Sequence, residues 1–180
     1  MGYRDWPMFD IRLTTPDLDP TRNRRVGVYQ TYWRGRAGWR PESWALSFGV
    51  FLDGQLVGYQ GLEGDDFSTL RTVDSFSFLT GAVRGRGLGK QMRAAVLTLA
   101  FGPLGARFAI TSAWSDNHAS LGVSRAIGYV DNGVTADRRD DVAGEMAHLR
   151  LTRERWTASG WPEQVTVTGV EECMVFFGLG

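Results

Sequence analysis

The chain has 180 residues, 43% of them hydrophobic and 22% charged, enough apolar material for one globular domain with a sizeable core and too much for disorder throughout. Twenty Lys and Arg balance twenty Asp and Glu, for a formal net charge of zero, so bulk charge gives no warrant for nucleic-acid binding or for attraction to an anionic membrane. Cys173 is the sole cysteine, which excludes an intramolecular disulfide and any metal site built from several cysteines of one chain.

Residues 1–10 lack the continuous apolar core of a secretory signal, and no later run approaches the roughly eighteen apolar residues of a membrane span; the expectation is a cytoplasmic protein without membrane contact. Residues 6–15 read as a short first strand, which Pro16, Asp17, Asp19 and Pro20 interrupt while offering entry into a helical segment. The stretch 22–41 has no legible period. Its Tyr29, Tyr32, Trp33 and Trp39 are expected to pack in the core or at its rim rather than to form a stacking platform for nucleic acid.

Trp44, Leu46, Phe48, Val50 and Leu52 recur at every second residue, the strand period. Asp53-Gly54 then supplies a tight turn into a return strand over 55–62, ended by Glu63, Gly64, Asp65 and Asp66. A third strand is expected over 72–79, and Gly81 separates it from a glycine-rich stretch. Over 88–101, Leu88, Met92, Ala95, Val96 and Leu99 fall near helical spacing, leaving Lys90 and Arg93 to solvent. A strand over 107–113 follows. Asp116-Asn117 then precede a short helix carrying Leu121, Val123 and Ile127, closed by Gly128. Residues 131–144 read as a polar loop, 146–151 as a late strand and 153–158 as a helical turn. No repeat or second domain emerges, so one domain over 1–180 is expected: α/β, with a mixed, mostly antiparallel sheet flanked by helices and at least one helical crossover. Late hydrophobic residues can cover the same chain or a second copy, which leaves a homodimer open.

The strongest chemical signal is Val83-Arg84-Gly85-Arg86-Gly87-Leu88-Gly89-Lys90, which follows the expected strand ending at Phe78 and Leu79 and opens the apolar helix. Glycines let backbone approach an anion closely, and the free amides of a helix's first turn add donors and a favourable dipole. Arg84, Arg86 or Lys90 can add charge. The spacing lacks the GxxxxGK[ST] of a P-loop, and its third glycine is misplaced for GxGxxG, which disfavours ATP hydrolysis and weakens a dinucleotide site. A diphosphate-bearing cofactor fits.

Arg84-Gly85-Arg86-Gly87-Leu88-Gly89 resembles the acyl-CoA motif [Gln/Arg]-x-x-Gly-x-[Gly/Ala] of the GCN5-related N-acetyltransferase superfamily. The segment from Asn117 to Tyr129, with Ser120, Arg125 and a Gly128-Tyr129 exit, is similar to the same family's downstream motif and most resembles its RimJ/RimL-like branch. The resemblance covers roughly residues 44–132. It implies an acyl-CoA N-acyltransferase fold with a splayed central strand pair, backbone capture of the CoA diphosphate by the 84–90 turn, and acetyl transfer to an amine, including protein N termini in some members. Asn117 and Ser120 match cofactor-facing positions of the family, and Arg125 could approach the nucleotide end. Acetyl-CoA is the family's first choice, with succinyl-CoA or another acyl-CoA open to a pocket of different size and charge.

Acyl transfer needs a neutral amine, stabilisation of the developing oxyanion and a route for the amine proton. Asp74, in the strand entering the cofactor motif, is a candidate for removing that proton through water. Many relatives carry Tyr seven residues after the matched Asn, as acid for the departing thiolate; this chain has Ser124 there, a much weaker donor that could orient water or the thioester, or simply pack. Glu63, Asp65 and Asp66 could attract an amine. His118 and His148 are the only histidines and their separation offers no local zinc motif, so no metal is expected. Cys173, far beyond both motifs, is expected to be buried packing. A noncatalytic acyl-CoA sensor or protein-interaction module is the alternative reading.

Overall fold

The computed structural model describes residues 19–139 and 141–179; the first strand expected over 6–15 lies outside them. Helix α1 (Pro20–Ala37) belongs to one compact unit, which ends at Trp39, and the residues from Arg40 onward form the other. Asp19 caps α1, accepting from the amides of Thr21 and Arg22 at 2.8 and 3.1 Å, with Pro20 at the first helical position, where its missing N–H costs nothing. The helix runs through the stretch that showed no period. Tyr29 and Trp33 are exposed along it rather than packed in a core, which is why no apolar stripe marked it.

The second unit is built on six strands: β1 (Trp44–Leu52), β2 (Gln55–Gly64), β3 (Thr72–Leu79), β4 (Phe108–Trp114), β5 (Val130–Arg139) and β6 (Val142–Thr152), in the order β1-β2-β3-β4-β6-β5. Every pairing is antiparallel except β3 with β4, so the expected mixed, mostly antiparallel sheet is present. Asp53 and Gly54, at φ 50° and 75°, make the β1–β2 turn, the left-handed pair that matches strand twist. The return strand runs to Gly64, two residues beyond the expected end, and α2 (Phe67–Leu70) follows.

The crossover from β3 to β4 is α3 (Leu88–Phe101), and α4 (His118–Ile127) follows β4, with Gly128 at φ 112° as its C-cap. Leu62, Phe67, Val73, Leu97, Leu104, Leu149 and Leu151 are buried; each such large side chain removed from water contributes about 1.5–3 kcal/mol. Trp44 stands edge-on to Phe67 and Phe177, 5.1 and 5.0 Å between centroids, closing the core at the start of β1. After β6, α5 (Arg153–Thr157) buries Trp156 against Phe101.

Three expectations are corrected. In the stretch expected as a loop, residues 131–139 are β5 and residues 142–144 begin β6, paired from Val130↔Arg150 to Arg139↔Val142. All ten residues of β5 are exposed, so an edge strand wetted on both faces carries no apolar alternation to read. Arg93 is not solvated but 2% exposed, because it lies four residues from both Gly89 and Leu97 on the inner stripe of α3. Cys173 is exposed, on a one-sided 3₁₀ turn (Glu171–Phe177) whose buried side is taken by Phe177. Among the described residues no helix is long and apolar enough to cross a membrane.

Candidate functional site

The parallel ladder between β3 and β4 is short. It pairs Thr72↔Phe108, Val73↔Ala109 and Asp74↔Ile110 and then stops, while β3 continues to Leu79 against β2 and β4 continues to Trp114 against β6. The two central strands therefore part beyond Asp74. At the apex the Thr111 hydroxyl donates to the Ser75 carbonyl at 3.1 Å, a side chain standing where the next ladder bond would be. From there to Leu79 one edge of β3 faces no strand, which leaves main-chain donors available inside the fork.

Asp74 sits at that apex. A cavity of about 120 Å³ is lined by Asp74, Ile110, Thr111, Ser112, Asn132, His148 and Leu149. Burial raises the Asp74 carboxyl to about 6, against the pull of the Ser75 amide, which donates to Oδ1 at 2.6 Å, and of the Arg93 charge. Glu63 stands opposite Asp74 in the β2–β3 register. Its carboxyl is raised too, first by burial and then by Asp74 and Asp65. Asp65 itself accepts from the Ser43 hydroxyl. Two half-buried acids side by side resist ionising together and favour a cation between them.

The 84–90 turn lies beyond the open end of β3, after a 3₁₀ turn (Gly81–Val83) that buries Val83. Gly85 and Gly87 have φ of 77° and 83°, and a Cβ on either would meet nothing within 4 Å. The amides of residues 85–89 donate to no backbone carbonyl, and α3 has no side-chain N-cap; the first amides turned inward are those of Lys90 and Gln91, both to the Gly87 carbonyl. This is an exposed nest of donors at a helix N-terminus. Gly89 differs from the other two: it lies inside α3 with a Cβ position 3.3 Å from Val123 of α4, so it allows the two helices to approach. Leu88 and Lys90 are half-buried beside it and Arg86 is exposed. Arg84 is turned back, its Nε donating to the Leu79 carbonyl at 2.9 Å with the guanidinium over the Phe78 ring.

On the β4 side the candidates are self-satisfied. Asn117 caps α4, its side chain accepting from the Ser120 amide at 3.2 Å, and His118 is exposed on the first turn. Arg125 pairs with Asp131 at 2.8 Å. Ser124 is 1% exposed; its hydroxyl donates to the Ser120 carbonyl and accepts from Arg93 Nη1 at 3.5 Å. The close packing of Gly89 on Val123 sets the start of α3 against the middle of α4.

Sequence reasoning missed the floor of the fork. Arg93 and Tyr129 are buried there with Ser75 and Ser124, and the Arg93 guanidinium lies 6.0 Å from the Tyr129 ring centre. Ser75 Oγ, Arg93 Nε and Tyr129 OH have no hydrogen-bond partner, although Ser75 and Arg93 are near enough to Tyr129 to favour its ionised form against a larger rise from burial. The signal that could have found Arg93 was its place on the Gly89–Leu97 row of α3.

A parallel pair that splays beside a helix opening on a glycine nest is accompanied by a direct sequence match: residues 8–130 fit the family model described as an acetyltransferase (GNAT) domain. The chain belongs to the GNAT acetyltransferase family. It is therefore an N-acetyltransferase, a member of a family whose cosubstrate is acetyl-CoA and whose acceptors are amines. Solved structures share the GNAT fold at low identity. RimJ from Mycobacterium smegmatis, in complex with CoA-disulfide, is 17% identical, with 81% of this chain and 75% of that one covered at a TM-score of 0.64. A mutant of the spermidine N-acetyltransferase SpeG from Vibrio cholerae is 12% identical, with 74% and 77% covered at 0.60.

Proposed function

We propose that this GNAT domain acetylates a primary amine, on a small molecule or a protein N terminus, by direct attack, with Asp74 accepting the amine proton through water. The observation that carries the reading is a desolvated carboxylate at the apex of the strand fork, with a glycine nest of free amides at the fork's open end. Phe78 and Leu79 end the stretch of β3 that β4 does not pair, and Val83 to Lys90 carry the chain into α3.

The nest fits the diphosphate of acetyl-CoA: five consecutive amides lack backbone partners, two glycines hold positive φ, and Arg86 and Lys90 add charge. Acetyl-CoA supplies an acetyl thioester to the amine. The residues of this chain do the rest. Main-chain amides of β3 inside the fork polarise the carbonyl to be attacked. The paired acids Glu63 and Asp74 draw a cationic acceptor to the fork. A cationic acceptor first gives up one proton to bulk water; as the neutral nitrogen attacks and the N–C bond forms, its second proton passes through water to the Asp74 carboxylate, and as the C–S bond breaks CoA leaves as its thiolate, which solvent protonates. With its carboxyl at about 6, Asp74 is a stronger base than an ordinary Asp yet ionised at neutral pH. The route calls for no metal. Asn117, Ser120 and Arg125 belong to α4 and its cap, the helix that packs on α3 at Gly89, and Ser124 is read as a support for Arg93 rather than as an acid.

The RimJ complex with CoA-disulfide supports placing this chain near the RimJ/RimL branch with CoA as its carrier, and the SpeG likeness keeps polyamine-like acceptors in view. The family match crosses both compact units, which supports reading the chain as one domain. We read its setting as cytoplasmic, on its lone cysteine.

The test is a panel of primary amines and N-terminal peptides incubated with acetyl-CoA, with free thiol and acetylated amine both measured. Equal amounts of the two products are expected, with kcat/KM falling as pH drops through about 6. Saturable acetyl-CoA binding without thiol release would overturn catalysis and leave a sensor module.

A further inference from the structure

The inner stripe of α3 carries one residue that hydrophobic packing does not explain. Arg93 stands where a leucine would fit, between Gly89 and Leu97 on the same face, and is 2% exposed. Its neighbours are Ser124, at the limit of hydrogen-bond reach, and the Tyr129 ring. Nε has no partner, and among the described residues no carboxylate lies within ion-pair distance of it. A buried guanidinium left this way is costly unless its field favours something nearby.

Three buried polar groups from three segments, Ser75, Arg93 and Tyr129, meet: Ser75 and Arg93 both act on the Tyr129 hydroxyl, yet Ser75 Oγ, Arg93 Nε and Tyr129 OH make no well-formed hydrogen bond. Their meeting place is the floor of the fork. Ser75 lies on the face of β3 turned toward Tyr129. Asp74, the preceding residue, points from the other face by strand alternation, so the charge acts across one strand at the point where the sheet opens. We propose that Arg93 is a positioning residue for acetyl transfer: a fixed buried charge, held by Ser124 and Tyr129 behind the strand fork, that keeps the Asp74 carboxylate in its reactive ionised form.

The groups facing Asp74 leave Arg93 as the cation that acts on it. Glu63 on β2 stands opposite it and is itself raised by the Asp74 charge; buried Tyr129, raised above its usual value, is neutral where Asp74 titrates; the Ser75 amide assists the charged form. Ile110, Thr111 and Ser112 of β4 are uncharged, as is Asn132 of β5. His148 of β6 lines the same cavity with Nε2 2.8 Å from the Thr135 hydroxyl. Arg93 is the cationic influence on the carboxyl, and it favours the charged form.

The kinetic part of this inference rests on Asp74 being the proton acceptor, so the experiment separates the two. The Asp74 carboxyl carbon is followed by NMR titration, and kcat/KM is profiled against pH, in wild type, D74N, R93M, R93Q and R93K. Removing the charge in R93M or R93Q should move both the Asp74 titration and the acidic limb upward by roughly one pH unit, a roughly fivefold loss of kcat/KM at pH 6 that approaches tenfold near pH 5, and R93K should recover most of the shift. If R93M does not fold, R93Q carries the measurement, since it keeps a polar side chain of similar reach. An Asp74 titration that stays in place in folded R93M or R93Q overturns the proposal. A limb that survives in D74N while the carbon signal still moves with Arg93 removes Asp74 from the proton path, and the positioning role with it, but leaves the coupling measured.

Discussion

The two arms of the strand fork are built differently. On the β3 arm polar groups are left wanting: Asp74 is desolvated, β4 does not pair with the strand beyond it, five amides of the 84–90 turn have no backbone partner, and α3 begins without a side-chain cap. On the β4 arm they are met. Asn117 caps α4, Asp116 holds Arg139 through both carboxylate oxygens, Arg125 pairs with Asp131, and Thr135 bonds His148. Unmet polar groups cost stability and persist where a ligand or a reaction uses them. The difference therefore separates a working arm from a supporting one, although both begin at the same three-residue ladder.

The sharpest way to break that comparison is D74N. On the working arm it should lower kcat roughly 100-fold, within the range for a lost general base, while raising stability. The sign follows from the raised carboxyl. Below about pH 4 both folded and unfolded chains hold the proton; as pH rises to about 6 the unfolded state ionises first and stability is lost. At pH 8 an amide removes that cost, worth up to about 3 kcal/mol, and the Ser75 amide keeps its acceptor. Thermal melts at pH 8 and pH 4 should show a higher Tm for D74N at the former and little change at the latter. A destabilised D74N at pH 8 would show that Asp74 is a structural partner like those of the other arm.

G87A comes next. The Cβ would enter open space at φ 83°, so the structural cost is about 1 kcal/mol of backbone strain, whereas the methyl would cover the nest. Calorimetry should find acetyl-CoA binding weakened roughly tenfold or more, a loss out of proportion to the Tm change. A binding loss no greater than that of a β4-arm substitution would erase the distinction between the arms.

Legibility in the sequence follows the same division. Strand β1 and helix α3 were readable to the residue, because each shows a period from one more buried face; β3 was bounded by the Gly81 break although its small polar residues interrupt the alternation; and the nest was readable because glycines at a strand-to-helix junction have few other uses. The acidic partner at the apex was legible as a residue type; its desolvation was not, since that depends on where β4 leaves β3. Strand β5 was invisible as a strand because both its faces are wet. Arg93 and Tyr129 were misjudged or overlooked for the opposite reason. Composition marks arginine as a surface residue, and only the packing of α3 and α4 shows a guanidinium enclosed by Ser124 and an aromatic ring.

On the supporting arm the effects should be smaller and should appear in stability. N117A removes the acceptor of the Ser120 amide, which costs about 1 kcal/mol for an N-cap, and denaturant melts should show it. Its acetyl-CoA affinity should fall less than that of G87A. An equal or larger fall would make the α4 cap part of the cosubstrate surface and move it to the other arm.

The smallest effect is expected at Arg139. Its Nη1 meets both oxygens of Asp116 at 2.9 and 2.8 Å, and its guanidinium lies over the Trp114 ring, tying the β5–β6 hairpin to the end of β4. Both ionic partners are exposed, 46% and 69%, so solvent screens the pair and its coupling should not exceed about 1 kcal/mol. A double-mutant cycle of R139A and D116A should return that coupling at low salt and lose most of it near 1 M NaCl, where the screening length falls to about 3 Å. Any residue that survives high salt is the contact with Trp114, whose cation–π attraction and covered ring area are less sensitive to ions. kcat should stay at the wild-type value throughout the cycle. A loss of turnover without a matching loss of stability would mean that the hairpin is held in place for the reaction rather than for the sheet.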